Sequence, residues 1–287
     1  MRTQLSNYEM RRAESLDDAL GILAAEPGTW LPFAGGTDLM VLMEAGRLPK
    51  QRFLSLWNVD ELRGVQVESE AVTIGALATY SDLLADNTLQ REFPLICAAA
   101  RETGAIAIQN RGTVGGNIAN ASPAADLPPA LLVYDAVLRI ASVRGQRVVP
   151  YAQFHKAYKV MDLAQDELIT AVTLPRRRER WVQTYRKVGT RRAQAISKVC
   201  FAAAVEAADG HVKDARIALG SVAPTVIRCT ATENVLRDRH LNDAVIRHAR
   251  ERLSADIAPI DDIRSTAGYR RLVSCNLLED FLKGVRG

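Results

Sequence analysis

Metal-binding patterns of cysteine and histidine are missing from this sequence. Its four cysteines are far apart and form no CxxC pair: Cys97, Cys200, Cys229 and Cys275. This spacing excludes an iron–sulfur cluster ligated by a compact cysteine motif of this chain, and it is typical of reduced, mostly buried thiols in a cytoplasmic protein. The four histidines form neither HxxxH nor HExxH, so we infer no metal site from them.

Long apolar runs and a strong excess of one charge are also missing. No run approaches the roughly 18 apolar residues that a membrane span needs, and the first residues carry charges where a secretory signal would be apolar. The net charge of +4 is mild and does not indicate nucleic-acid binding. The GxGxxG and Walker A fingerprints are absent, which disfavours the two commonest nucleotide-binding folds.

Two glycine pairs are the main feature that the sequence does contain. The first glycine segment is residues 34–39 (AGGTDL), and the second is residues 113–117 (TVGGN), which continues as IANASPAADLPP to residue 129. Because glycine has no Cβ, the backbone can approach a ligand closely, and successive N–H groups in such a loop can surround phosphate oxygens. Two loops of this kind predict a diphosphate cofactor that is held from both sides.

The isolated carboxylate of Asp126 is suited to accept a hydrogen bond from a ribose or ribityl hydroxyl. It precedes Pro128 and Pro129, which are tolerated in a first helical turn, so a purely capping role is the alternative for Asp126. The first glycine segment has a plain alternative too, in which its glycines only turn the chain between a strand and a helix. If a helix follows directly, its N-terminus favours an anion at the turn.

The local patterns predict alternating helices and strands up to residue 175 and a small sheet with helices after residue 181. The predicted helices are 15–25, 39–43, 94–102, 225–237, 242–253 and 265–285. Hairpins are predicted at 65–75 and around the Asp209-Gly210 turn. The arginine-rich residues 176–180 are interpreted as a boundary between domains.

These stretches carry a resemblance to a known family. Both glycine segments resemble the flavin subunit of molybdenum hydroxylases, the family of the medium subunits of xanthine dehydrogenase and carbon monoxide dehydrogenase. Residues 185–199 (YRKVGTRRAQAISKV) and 262–282 (DIRSTAGYRRLVSCNLLEDFL) resemble it as well, so the match spans nearly the whole chain. The implied fold is α+β, of the vanillyl-alcohol-oxidase (PCMH) type. The implied parts are two FAD-binding α/β subdomains, 1–56 and 57–175, and a C-terminal domain of small antiparallel sheet and helices, 181–287.

The resemblance also implies which residues contact FAD. They are Pro32, Phe33, Ala34, Gly35, Gly36, Thr37, Asp38, Leu39, Thr103, Thr113, Val114, Gly115, Gly116, Asn117, Asp126, Ile169 and Lys187. The glycine segments would wrap the pyrophosphate, and Asp126 would bond ribityl or ribose hydroxyls. Thr103 stands where eukaryotic relatives have an aromatic residue, which puts ring stacking on the flavin in question. Lys187 matches a basic residue near the flavin, and the alternative is an exposed strand lysine. No catalytic residue and no metal ligand is implied.

Electron transfer is the function that the resemblance implies. In the family, a molybdopterin-binding large subunit hydroxylates the substrate, and a small subunit passes electrons through two [2Fe–2S] clusters to FAD, which then reduces NAD⁺, oxygen or another acceptor. The implied partners are these two subunits, in a hetero-oligomer such as a dimer of heterotrimers. Two alternatives remain open: a free-standing FAD-dependent oxidoreductase of the same fold, and a non-catalytic nucleotide-binding or assembly module.

Overall fold

The chain is described from a computed structural model that covers residues 8–48, 51–176, 180–191 and 194–286. Within these ranges the α-helices are α1 Leu16–Ala25, α2 Leu39–Glu44, α3 Tyr80–Ala85, α4 Asn87–Glu92, α5 Pro94–Glu102, α6 Ile106–Gln109, α7 Val114–Ala119, α8 Pro128–Val133, α9 Thr230–Leu236, α10 Asp243–Asp256 and α11 Ala267–Arg286. The strands are β1 Glu9–Arg12, β2 Leu31–Phe33, β3 Arg52–Ser55, β4 Val65–Val67, β5 Ala71–Gly75, β6 Val137–Ser142, β7 Gly145–Pro150, β8 His155–Ala157, β9 Val160–Met161, β10 Leu168–Pro175, β11 Val182–Val188, β12 Val199–Ala208, β13 His211–Gly220, β14 Ile227–Arg228 and β15 Arg239–His240.

The N-terminal sheet is parallel and has the strand order β1-β3-β2. Helix α1 connects β1 to β2 and begins after Ser15, whose hydroxyl accepts a hydrogen bond from the Asp18 backbone N–H. Leu20 and Leu23 of α1 are buried in one core with Leu54 of β3. Strand β2 leads directly into the first glycine segment, and α2 follows it.

The second sheet is antiparallel, with the order β4-β5-β10-β6-β7. Helices α3 to α8 lie between β5 and β6 in the chain and cover this sheet with a large apolar core. Helix α5 begins at Pro94, whose missing N–H is not needed in a first turn. The second glycine segment therefore lies within a helical connection between two strands of one sheet.

The third sheet is antiparallel and includes β11, β12, β13 and β14 in that order. Strand β12 is buried on both faces. Phe201 and Val205 belong to one core with the C-terminal helices, whereas Ala202 and Ala204 belong to the core of the second sheet and its helices. The small alanine side chains of β12 allow α8 to approach closely, and β11 packs against α5 beside it. This packing carries the C-terminal part to the region of the glycine segments.

Most local predictions are confirmed, including the helices 15–25 and 94–102 and both hairpins. Residues 225–237 are not one helix, because β14 pairs with β13 before α9 begins. The second glycine segment is not an open loop, because it forms the start of α7. Of the predicted arginine-rich boundary, residues 177–179 lie outside the described residues, and the division into three parts stays a proposal. In the described part of the chain, no helix is long and apolar enough to cross a membrane.

Candidate cofactor-binding site

The first glycine segment forms the turn between β2 and α2, and most of its backbone N–H groups have no acceptor among the described residues. Gly36 has a φ of +77°, in the left-handed region that favours glycine. The backbone N–H groups of Gly35, Gly36, Thr37 and Asp38 donate to no acceptor among the described residues. Four unpaired donors in one turn suit a ligand that is rich in acceptors, such as a phosphate.

The backbone N–H groups of the second glycine segment do not point to a ligand, contrary to the prediction, but donate to acceptors within the protein. The N–H groups of Val114 and Gly115 donate to backbone oxygens of residues 78 and 76, at 3.0 and 2.8 Å. The Gly116 N–H donates to Oγ1 of Thr113, which caps α7. These hydrogen bonds leave no row of free N–H groups here. The segment contributes a closely packed wall and the side chain of Asn117 instead.

Gly115 is required by packing within the protein. A Cβ on Gly115 would lie 2.8 Å from the Cβ and 3.0 Å from the backbone oxygen of Ala76. A Cβ on Gly116 would lie 2.8 Å from Oγ1 of Thr113, the oxygen that caps α7.

We expect Gly115→Val to lower the free energy of unfolding by about 1–3 kcal/mol through overpacking, and to abolish FAD retention by displacing α7. Gly284→Val, at an exposed position in α11 where a Cβ would meet nothing within 4 Å, is the matched control and should not lose stability by overpacking. Urea unfolding of the full chain without added cofactor measures the stability of both variants, and flavin absorption after purification measures FAD retention. A Gly115→Val chain of normal stability that still fails to retain FAD would contradict the packing role.

The two glycine segments lie against each other, as the sequence predicts. A Cβ on Gly35 would lie 1.7 Å from the backbone oxygen of Arg111, just before the second segment. Nδ2 of Asn120, at the end of α7, donates to Oδ1 of Asp38 at 3.2 Å. The Arg111 guanidinium stacks on the ring of Trp57 at 3.6 Å from the ring centroid. One surface therefore presents both segments.

Asp126 and Lys187 form a buried ion pair beside these segments. The distance from Lys187 Nζ to Asp126 Oδ2 is 2.7 Å, and the two side chains are only 6% and 11% exposed. Lys187 Nζ also donates to the backbone oxygen of Glu102 at 2.8 Å, next to Thr103. The alternative of an exposed strand lysine is thus wrong for Lys187. The alternative of a purely capping role is wrong for Asp126, because the N-cap of α8 is Leu127 and no side chain caps this helix. Burial raises the pKa of Asp126 to about 6, although the Lys187 ammonium lowers it.

Two buried acceptors in this region have no donor. Oδ1 of Asp126 and Oδ1 of Asn117 make no hydrogen bond within the described ranges. The Tyr80 phenol interacts with both side chains, and burial raises its pKa. Because a buried acceptor without a donor is costly, these two oxygens suit a ligand that brings hydroxyl groups.

The other predicted residues line or support the same region. The Phe33 ring lies under the first segment, since a Cβ on Gly36 would be 2.6 Å from it, and Pro32 is the residue before it in β2. Val114 and Ile169 are buried in the same apolar core. Thr103 is at the end of α5, where its hydroxyl donates to the Ala99 backbone oxygen at 2.8 Å. Ala34, Thr113 and Leu39 complete the two segments and the start of α2.

Sequence reasoning missed Asn120 and Lys159. Asn120 lies only three residues beyond the second segment, so its position could have suggested it. Lys159 lies in the turn between β8 and β9, with a φ of +57°. Its Nζ donates to the backbone oxygen and to Oδ1 of Asn120. No sequence signal places a residue 39 positions away beside α7.

A cavity of about 430 Å³ opens next to the buried ion pair. Its lining is Glu102, Arg186, Lys187, Gly189, Arg191, Gln194 and Ala195. The region as a whole offers unpaired N–H donors for a diphosphate, unpaired buried oxygens for hydroxyl groups, and open space beyond them. These residues fit FAD.

Comparison with known proteins indicates FAD binding over nearly the whole chain. The family model described as "FAD binding domain in molybdopterin dehydrogenase" matches residues 6–177, and the one described as "CO dehydrogenase flavoprotein C-terminal domain" matches residues 183–285. The xanthine dehydrogenase FAD-binding subunit of Escherichia coli O157:H7 is 34% identical over 261 residues, which are 90% of this chain and 89% of that protein. The glyceraldehyde dehydrogenase medium chain of Sulfolobus acidocaldarius is 32% identical over 262 residues, 91% of this chain and 92% of that one.

A solved structure shows the same fold. Carbon monoxide dehydrogenase from Hydrogenophaga pseudoflava, in a form that lacks the Mo-pyranopterin moiety of its cofactor, matches with a TM-score of 0.93. The match covers 96% of both chains at 25% identity. This chain therefore belongs to the family of FAD-binding medium subunits of molybdenum hydroxylases, as a flavoprotein oxidoreductase subunit with a PCMH-type FAD-binding domain and a C-terminal domain.

Proposed function

We propose that this chain is the electron-transfer subunit of a molybdenum hydroxylase, taking electrons from [2Fe–2S] clusters of a partner subunit and passing them to NAD⁺, oxygen or another acceptor. The single observation that carries the proposal is the contact between the two glycine segments beside buried oxygens that lack donors. Bound FAD supplies the redox chemistry, and the protein supplies its orientation and electrostatic surroundings.

The proposed cofactor contacts follow from the unpaired groups. The N–H groups of residues 35–38 bind the diphosphate, and Asp126 and Asn117 accept hydrogen bonds from hydroxyl groups of the cofactor. Lys187 keeps Asp126 ionised in a buried position and joins it to the end of α5. Neither Asp126 nor Lys187 transfers a proton in this scheme, because their role is to hold and orient the cofactor.

The proposed partners are a molybdopterin-binding large subunit and a [2Fe–2S] small subunit, in a dimer of heterotrimers. Large apolar side chains at the surface support a subunit role: Ile106 is 73% exposed and lies in α6, between Thr103 and the second glycine segment. The four cysteines are unpaired and buried, which supports a cytoplasmic location. The division at residues 56 and 175–181 is part of the same proposal.

Purification of the tagged chain from its own host tests the proposal. We expect it to carry the visible absorption of oxidised flavin and to co-purify with two further subunits, molybdenum and iron. After reduction of the complex with dithionite, mixing with NAD⁺ or with oxygen identifies the acceptor by the return of flavin absorption.

The full chain purified alone with FAD is the control for this experiment. It should be reduced by dithionite but should not turn over xanthine, glyceraldehyde or carbon monoxide. Turnover by the chain alone would favour a free-standing oxidoreductase, and a colourless preparation that takes up no FAD would favour the non-catalytic alternative.

A further inference from the structure

The two glycine segments carry a negative charge, which is unfavourable for an anionic ligand. Residues 34–39 and 113–117 contain no lysine or arginine, and their one charged side chain is Asp38. A carboxylate beside a diphosphate is unfavourable, because like charges at short distance repel. Asp38 accepts a hydrogen bond from Asn120 but makes no ion pair within 4.0 Å in the described part of the chain. A cation near these segments would offset the Asp38 carboxylate when an anionic ligand binds.

Lys159 is in position to supply that charge. Its Nζ donates to both oxygens of Asn120, and the Asn120 amide donates to Asp38. Partial burial lowers the pKa of Lys159, and the nearby Asp38 carboxylate opposes this shift. The hairpin that carries Lys159 is held on α7 by a second contact, with Nε2 of His155 3.0 Å from the Ile118 backbone oxygen.

We propose that Lys159 is a diphosphate-binding residue, whose ammonium is held by Asn120 beside Asp38 and offsets that carboxylate when FAD binds. This inference rests on the proposed cofactor contacts and adds a residue to them. Arg111, the basic residue next to the second segment, is stacked on Trp57 instead. The β8–β9 hairpin thereby becomes a third wall of the site, from a stretch with no glycine motif.

Titration of the FAD-free full chain with FAD, followed by flavin fluorescence, tests this role. Lys159→Met should weaken FAD binding by about 10- to 100-fold, the range for hydrogen bonds to charged groups, and Lys159→Arg should keep most of the affinity. The Kd of Lys159→Met should also depend less on salt than that of the wild type, because one charge–charge interaction is gone. Lys156→Met is the matched control: Lys156 is exposed in the same hairpin and has no hydrogen-bond partner among the described residues.

Two results would overturn the inference. One is an equal Kd for Lys159→Met and Lys156→Met in a chain whose wild type binds FAD. The other is weaker binding by Lys159→Met with an unchanged salt dependence and a lowered Tm of the FAD-free chain, which would mean that Lys159 only fastens the hairpin. Failure of the wild-type chain to bind FAD would instead refute the cofactor contacts proposed above.

Discussion

Gly35→Ala is expected to separate the two glycine segments and to weaken FAD binding by about 100-fold. The added Cβ would lie 1.7 Å from the backbone oxygen of Arg111 and 2.5 Å from its carbonyl carbon. Backbone atoms cannot rotate away as a side chain would, so one of the segments must move. Overpacking of this kind costs about 1–3 kcal/mol, and a 100-fold loss of affinity corresponds to the upper end of this range, because FAD binding requires the segments to return to their strained contact. Fluorescence titration with FAD and urea unfolding of the FAD-free chain measure the two effects.

Gly21→Ala is the matched control for this substitution. Gly21 lies on the exposed side of α1, and a Cβ there would meet nothing within 4 Å. Alanine in a helix interior is more favourable than glycine by about 0.5–1 kcal/mol, so this variant should be slightly more stable and bind FAD normally. Normal FAD binding by Gly35→Ala would mean that the contact between the segments does not shape the site.

FAD binding is expected to weaken as the pH falls below about 6, the raised pKa of Asp126. Only the ionised carboxylate offers a full set of acceptors while keeping its ion pair with Lys187. If the ionised form alone binds, the Kd should rise about tenfold for each pH unit below that pKa. Asp126→Asn should bind weakly and show no such dependence. A wild-type Kd that is constant from pH 7 to pH 5 would contradict this role of Asp126.

The same carboxylate should affect the stability of the FAD-free chain in the opposite direction. Its pKa is raised on folding from an ordinary value of 3.8, so the folded chain binds the proton more tightly than the unfolded chain. This contribution to stability is fully present below the ordinary pKa and is lost as the pH rises towards 6. The unfolding free energy of the wild type, measured relative to Asp126→Asn, should therefore fall between pH 4 and pH 6.

Local signals were sufficient for much of the fold. Ser15 at an N-cap, Pro94 in a first turn and the Asp209-Gly210 turn each determine backbone geometry within a few residues, and the elements they predict are confirmed. The prediction for residues 225–237 was wrong because β14 is created by pairing with β13, which a helical periodicity does not reveal.

The sequence by itself predicted a diphosphate cofactor, since glycine pairs and an isolated carboxylate have chemical properties that do not depend on the rest of the chain. Its resemblance to a family implied FAD, which the comparisons show, and the residues that contact FAD stay predictions. The tertiary structure alone decided which of these groups are left without partners. Strand pairing and helix packing provide acceptors for the N–H groups of Val114 and Gly115, but those of residues 35–38 have no acceptor among the described residues. Packing of β11 against α5 buries Lys187 and Asp126 together, and burial raises the pKa of that carboxyl group although the Lys187 ammonium lowers it. Hydrogen-bond satisfaction and desolvation depend on contacts between residues far apart in the chain, and for that reason they could not be predicted from local patterns.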